Sequence, residues 1–288
     1  MRNNVNRTGA QESPDSTAAV EAAQPSEGTP RSPLEFVTPT DFVELPSKGE
    51  GYPEGHPLKG KDIIEIKFMT AKEEDILTSR ALLKKNLAIE RFLESVIVDK
   101  NIDPQSMLIG DRNAVLISAR ASGYGSIYET KVICPACGGR SEQSFDLDEP
   151  TVWAGGNLDL DNVEMTPDGT YKIKAPVTNF SVELRMMTGK DELNIASAMA
   201  AHKRNKMPEM NMSSQYERMI VSVEGYTDIR VIQHFIQNAP AKDLRAVRNI
   251  YKALAPDVRI TKDFECPSCG HEQELEVSFG ADFFWPDQ

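Results

Sequence analysis

The sequence is short of cysteine, of positive charge and of long apolar runs, and each shortage excludes something. Four cysteines in 288 residues are too few for a disulfide-stapled secreted scaffold. No run of about 18 or more apolar residues occurs, so no segment reads as a membrane-spanning helix. The opening MRNNVNRTGAQESPDS lacks the apolar core of a secretory signal. Lys and Arg number 32 against 44 Asp and Glu, a net charge of -12; an acidic surface repels phosphate backbones and argues against general nucleic-acid binding. The expectation is a soluble protein of a reducing cytoplasm, where paired cysteines hold metal and not each other.

Motifs for catalysis are also missing. Glu73, Glu74 and Asp75 fall in the first turn of an expected helix, where acids complement the dipole. The glycines of SGYGSIYE follow a helix and lack the Lys and Ser or Thr of a phosphate loop. His56, His202 and His234 stand apart from any nucleophile. The reading is a protein that is not an enzyme.

What is present begins after about residue 35. Residues 1–35 contain no aromatic residue and are rich in Ser, Thr, Pro, Ala and Glu, which predicts a disordered tail. Next comes FVELPSKGEGYPEGHPLKG, an extended arm with successive turns. It either crosses a partner's surface or packs on its own domain. An internal repeat follows. IEIKFMTAKEED from Ile64 and VELRMMTGKDEL from Val182 share five of twelve positions, and each predicts a strand that meets a helix-capping Thr, Thr70 with Glu73 and Thr188 with Asp191. ERFLESV from Glu90 and ERMIVSV from Glu217 continue it. Ile89, Phe92, Leu93 and Val96, and likewise Tyr216, Met219, Ile220 and Val223, have the spacing of a buried helical face. DRNAV at Asp111 and DLRAV at Asp243 each open a further helix, the second carrying the stripe Val247, Ile250, Tyr251 and Leu254. KRNKMPEMNMSS, 203–214, reads as an inserted Met-rich loop, and 148–176 as a linker ending in a hairpin at Asp168-Gly169.

Both copies end in a cysteine knuckle, CPACG at Cys134 and CPSCG at Cys266. A structural zinc takes four ligands and each knuckle offers two. One Zn2+ held by Cys134, Cys137, Cys266 and Cys269 is the economical solution; His271, or thiols from a second chain, are the alternatives. Four thiolates leave no open position, so such an ion stabilises structure. The alternating strands after each knuckle fit a zinc ribbon, which keeps a nucleic-acid-binding adaptor as the alternative function. The acidic residues around both knuckles count against it. The aromatic end FGADFFWPDQ is too apolar to be free and should dock in cis or on a partner.

The phrases FVELPSKGEGYPEGHPLKG, IEIKFMTAKEEDILTSRALLKKN and IDPQSMLIGDRNAVLISARASGYGSIYE resemble the baseplate hub assembly proteins of T-even-like contractile-tailed bacteriophages, over about Phe42 to Gly138. That resemblance implies a non-enzymatic hub component or assembly chaperone. Its partners would be phage baseplate hub and tail proteins, its place the host cytoplasm during assembly and then the virion or not, and no membrane would be involved.

The reading is therefore an α+β chain of two related strand-plus-helices modules joined through a shared four-cysteine, zinc-ribbon-like site. Its divisions are a tail at 1–35, a first module at 36–150 and a second at 151–288. The partner-binding candidates are Leu45, Pro46, Ser47, Lys48, Gly49 and Tyr52 in the arm, Met69, Thr70 and Lys72 after the first strand, and Phe283, Phe284 and Trp285 at the end.

Overall fold

The computed structural model describes residues 37–153, 163–204 and 211–284, apart from the side chains of 200, 202–204, 211 and 281. The expected tail 1–35 and Trp285 lie outside the described residues. Strands β1 (Thr40–Glu44) and β2 (Ile63–Lys67) pair antiparallel with Val43 opposite Ile64. Alternation along IIEIK buries Ile64 and Ile66 and leaves the polar positions half-buried. Helices α1 (Ala71–Thr78), α2 (Arg80–Lys84), α3 (Ala88–Val96) and α4 (Ile109–Tyr124) follow. The expected stripe on α3 is realised, with Phe92, Leu93 and Val96 fully buried. A hairpin of β3 (Ile127–Ile133) and β4 (Arg140–Asp146) then carries the first knuckle.

The segment expected to be a linker begins with a strand, β5 (Thr151–Trp153). The hairpin expected at Asp168-Gly169 joins β6 (Val163–Met165) to β7 (Tyr171–Lys174), and Gly169 has φ +75 there, a conformation that glycine adopts freely. Strand β8 (Ser181–Leu184), helices α5 (Gly189–Arg204) and α6 (Asn211–Met219) and strand β9 (Ile220–Val223) complete a sheet of order β6-β7-β8-β9. Two expectations are corrected here. The helical stripe predicted through Val223 stops at Met219, because Ile220, Val221 and Val223 are β-branched and β9 pairs with β8. The predicted Met-rich loop is helical from Asn211 on. After α7 (Ile229–Asn238) and α8 (Ala241–Leu254), β10 (Asp257–Arg259) pairs back with β5, and β11 (Thr261–Glu265) with β12 (Glu272–Glu276) forms the hairpin of the second knuckle.

Two apolar cores result. One gathers β1, β2, α3 and α4 and also takes in Leu254, Val258, Val277, Phe283 and Phe284 from the end of the chain. The other gathers β7, β8, β9, α6 and α7 with Val247 of α8. Helix α4 crosses close to the chain after α8: a Cβ on Gly110 would lie 2.2 Å from the Pro256 carbonyl oxygen. Both sides of that approach are backbone and cannot rotate away. Gly110→Ala should therefore cost about 2 kcal/mol or more, read as a lower urea midpoint at unchanged slope.

Each capping Thr is held by an acid three residues on. Thr70 donates both its N–H (3.0 Å) and its hydroxyl (2.5 Å) to Glu73 Oε2, while Lys67 (2.8 Å) and Ser95 (2.5 Å) donate to Oε1. Thr188 donates the same pair to Asp191 Oδ2, at 2.9 and 3.0 Å, and Arg185 closes on both carboxylate oxygens at 2.8 and 2.7 Å. Burial works against the charged form of Glu73, but Lys67, Ser95 and Thr70 outweigh it and bring its pKa down to about 2. A depressed carboxylate stabilises the fold above its unfolded pKa, and that contribution is lost as pH falls toward the folded one. From pH 4.5 down to 2 the native chain should lose on the order of 3 kcal/mol through this residue. Glu73→Gln should flatten that part of the stability-versus-pH curve measured by urea unfolding.

Candidate metal centre

Each knuckle caps a β-hairpin, and its loop folds by the same hydrogen bonds. The Gly138 N–H donates to the Cys134 carbonyl (2.9 Å) and the Cys134 N–H to that of Gly139 (2.8 Å). The Gly270 N–H donates to the Cys266 carbonyl (2.9 Å) and the Cys266 N–H to that of His271 (2.9 Å). The glycine after each second cysteine sits at positive φ, +71 for Gly138 and +68 for Gly270, where a Cβ would be strained. The sequence reading placed strands after the knuckles. The structure adds β3 and β11 before them, whose half-alternating IYETKVI and TKDFE were the available signal.

The hairpins meet tip to tip. All four Sγ atoms lie within 4.8 Å of one another, with Cys134 to Cys269 at 3.8 Å and Cys137 to Cys266 at 3.7 Å. A tetrahedron of zinc–sulfur bonds of about 2.3 Å has edges of about 3.8 Å, so the residues present fit such an ion. Both close sulfur pairs cross between the knuckles. Phe264 and Leu275 pack beneath Cys134 and Cys266, which are buried, while Cys137 and Cys269 are exposed. Lys262 Nζ donates to the Ser144 carbonyl (3.1 Å) and ties one hairpin to the other.

The electrostatics suit thiolates at part of the site. Backbone N–H groups of Ser268 and Cys269 aimed at the Cys266 sulfur bring its pKa down to about 7 despite burial. The N–H of His271 pulls on Cys269, but the neighbouring Cys137 and Cys266 sulfurs push it up to about 12. Four sulfurs this close cannot all lose their protons without a cation among them. His271 contributes its carbonyl to the loop and is not among the clustered ligands.

The other candidate residues are distributed differently. In the arm, the side chains of Leu45, Pro46, Ser47 and Tyr52 and the backbone of Gly49 are buried within the chain, and Lys48 is exposed. Of the two readings of this segment, packing on its own domain is the one found. Asp111, two residues into α4, is the anchor: its carboxylate accepts from the Ser47 N–H (3.0 Å), the Ser47 hydroxyl (2.6 Å) and the Tyr52 hydroxyl (2.6 Å). Burial pushes the Asp111 carboxyl upward against those three donors. At the start of α8, Asp243 likewise accepts from the Val177 N–H (2.7 Å) and from the N–H (3.1 Å) and hydroxyl (2.8 Å) of Thr178. Sequence reading noted both aspartates only as helix openers. Met69 and Thr70 are half-buried and Lys72 exposed. Phe283 and Phe284 are buried, against Tyr128 (ring centroids 5.0 Å apart) and Phe92 (4.9 Å). Both rings thus dock in cis, the first of the two readings for this end. His56 stacks on Tyr52 and bonds Ser106 at 2.9 Å, with Nδ1 accepting the Leu58 N–H, so its ring is occupied structurally.

The family described as T4 bacteriophage base plate protein matches residues 39–285. The chain belongs to this family. Comparison with curated proteins and with solved structures finds no match. The likeness thus spans both knuckles, beyond the stretch ending near Gly138 that the sequence phrases carried. This baseplate family member has a structural role in the tail baseplate, among other baseplate and tail proteins, in a family that is generally non-enzymatic. Among the described residues, no helix is long and apolar enough to cross a membrane.

Proposed function

We propose that this baseplate protein is a hub component or hub-assembly chaperone that holds hub proteins in an assembly-competent arrangement in the infected cell, braced internally by one structural zinc. The observation that carries the binding role is the family match over nearly all of the described chain. The quartet of sulfurs supports Cys134, Cys137, Cys266 and Cys269 as the zinc ligands of a ribbon-like site.

The brace joins two related modules, at 36–150 and 151–288. Their relatedness is supported by paired geometry that short sequence matches do not include. Asp111 and Asp243 grip a Ser and a Thr in the connections β1-to-β2 and β7-to-β8. Lys67-Thr70-Glu73 and Arg185-Thr188-Asp191 lock the strand-to-helix corners in one pattern. Phase is conserved less well along the next helix. Ile66 bridges Ile97 where Leu184 faces Ile220, so the ERFLESV and ERMIVSV phrases match about one helical turn out of register with the pairing.

Lys48 and Lys72, both exposed, are the candidates from the arm and corner whose side chains can reach a partner. The nucleic-acid alternative has little support, since Glu265, Glu272, Glu274 and Glu276 stand exposed around the second knuckle. The test is affinity capture of the full tagged chain from infected cells. Co-recovery of the phage's central baseplate proteins is expected, and recovery of none would overturn the proposal.

A further inference from the structure

The outer edge of β1 takes no part in the candidate metal centre. In an antiparallel pair, backbone groups alternate between facing the partner strand and facing away. The Phe68 N–H bonds the Pro39 carbonyl (2.9 Å) and the Leu45 N–H that of Asp62 (2.7 Å), so in the β1–β2 register Thr40, Phe42 and Glu44 turn their backbone outward. The opposite edge of this sheet is covered, the Val98 N–H reaching the Glu65 carbonyl at 3.1 Å. No described strand pairs with the outer edge of β1.

That edge borders a groove of ≈ 540 Å³ lined also by α4 and by Leu147, Asp148, Pro150 and Val152. Phe42 (67% exposed) and Val152 (57%) offer apolar side chains at its rim. Its charged lining is entirely acidic, Asp41, Glu44 and Asp148, and none of the three enters an ion pair among the described residues. The Asp41 carboxylate instead accepts the outward Phe42 N–H at 2.8 Å. The second sheet shows what such an edge accommodates. There β7 leads into β8 as β1 leads into β2, and the outer edge of β7 carries a third strand, β6.

We propose that β1 takes up an extended segment of a partner protein as a third strand, a segment in which apolar residues alternate with Lys or Arg. Main-chain hydrogen bonds to Thr40, Phe42 and Glu44 would supply binding, and the acidic, partly apolar groove would select the side chains. That the partner is a baseplate protein rests on the function proposed above.

The probe is a peptide of four Val-Lys repeats, titrated against the full chain and followed by amide hydrogen exchange. Binding is expected with slowed exchange at Thr40, Phe42 and Glu44. Phe42→Pro removes an outward N–H without breaking the β1–β2 ladder and should weaken binding about ten-fold or more. Glu44→Lys combined with Asp148→Lys should transfer preference to a Val-Glu peptide. Unchanged affinity in Phe42→Pro, protection elsewhere or no binding would overturn the proposal. Binding only by a chain starting at residue 37 would assign the groove to the chain's own leading segment and overturn it as well. Capture from infected cells separates the two readings, since failure to associate with finished baseplates is what a departing chaperone would also give. Recovery of no central baseplate protein by wild type contradicts the function proposed, whereas equal capture of central baseplate proteins by wild type and Phe42→Pro contradicts only the groove.

Discussion

Replacing Cys266 with Ser should empty the whole metal centre, taking bound zinc from about one per chain to near none by the four-ligand rule. Cys134 and Cys137 would remain, but their nearest sulfurs belong to the other hairpin, Cys269 at 3.8 Å and Cys266 at 3.7 Å. Structural zinc binds such thiolate sets with about 10–16 kcal/mol, as much as the whole stability of an ordinary domain. The apolar packing beneath the site, chiefly Phe264 and Leu275, is too small to replace it. Metal analysis with thermal unfolding should show loss of zinc together with a lower Tm. The β3–β4 hairpin should lose amide protection as well as β11–β12, although the substitution lies in the latter. Full-stoichiometry metal at Cys134 and Cys137 in this variant would contradict a shared ion.

The second large effect is expected at Asp111. In Asp111→Ala the Ser47 N–H, the Ser47 hydroxyl and the Tyr52 hydroxyl lose their acceptor inside the protein. The cost should be about 3–5 kcal/mol, measured by urea unfolding, with faster amide exchange along the arm. Asp243→Ala provides the comparison. Its carboxylate is as buried as that of Asp111, but among its donors Val177 is 49% exposed, so water can reach that N–H and the cost should fall to about 1–2 kcal/mol. Equal costs would contradict a role for the exposure of the donors.

The elements easiest to read in the sequence were those whose signal is local. Thr70 with Glu73 and Thr188 with Asp191 mark their corners within four residues, and both form. Phe92, Leu93 and Val96 repeat at helical spacing, and α3 buries them. The same spacing misled at Ile220 and Val223, because a short apolar run fits helix or strand and the edge of β8 decided between them. Strand β5 was hidden for a similar reason: Thr151–Trp153 gains its partner only when β10 arrives from far along the chain.

At the candidate site, the two cysteine pairs were legible because a CxxC knuckle with a following glycine is a compact motif. That the two knuckles meet could be argued from ligand number alone, and the crossed sulfur pairs now give that meeting a geometry. The arm was harder. Its prolines and glycines showed turns but not where they pack, since Asp111 lies on the other side of β2 and three helices in the chain. Phe283 and Phe284 were legible as buried, and only the fold shows that Phe92 and Tyr128 receive them.

Titrating the metal-free full chain with cobalt(II) while recording its absorption spectrum shows whether one ion is shared by the two knuckles. A shared ion gives a single endpoint at about one cobalt per chain, with thiolate charge-transfer intensity and ligand-field bands of a tetrahedral four-sulfur site. An endpoint at two per chain, or a spectrum requiring two sulfurs and solvent ligands, would contradict it.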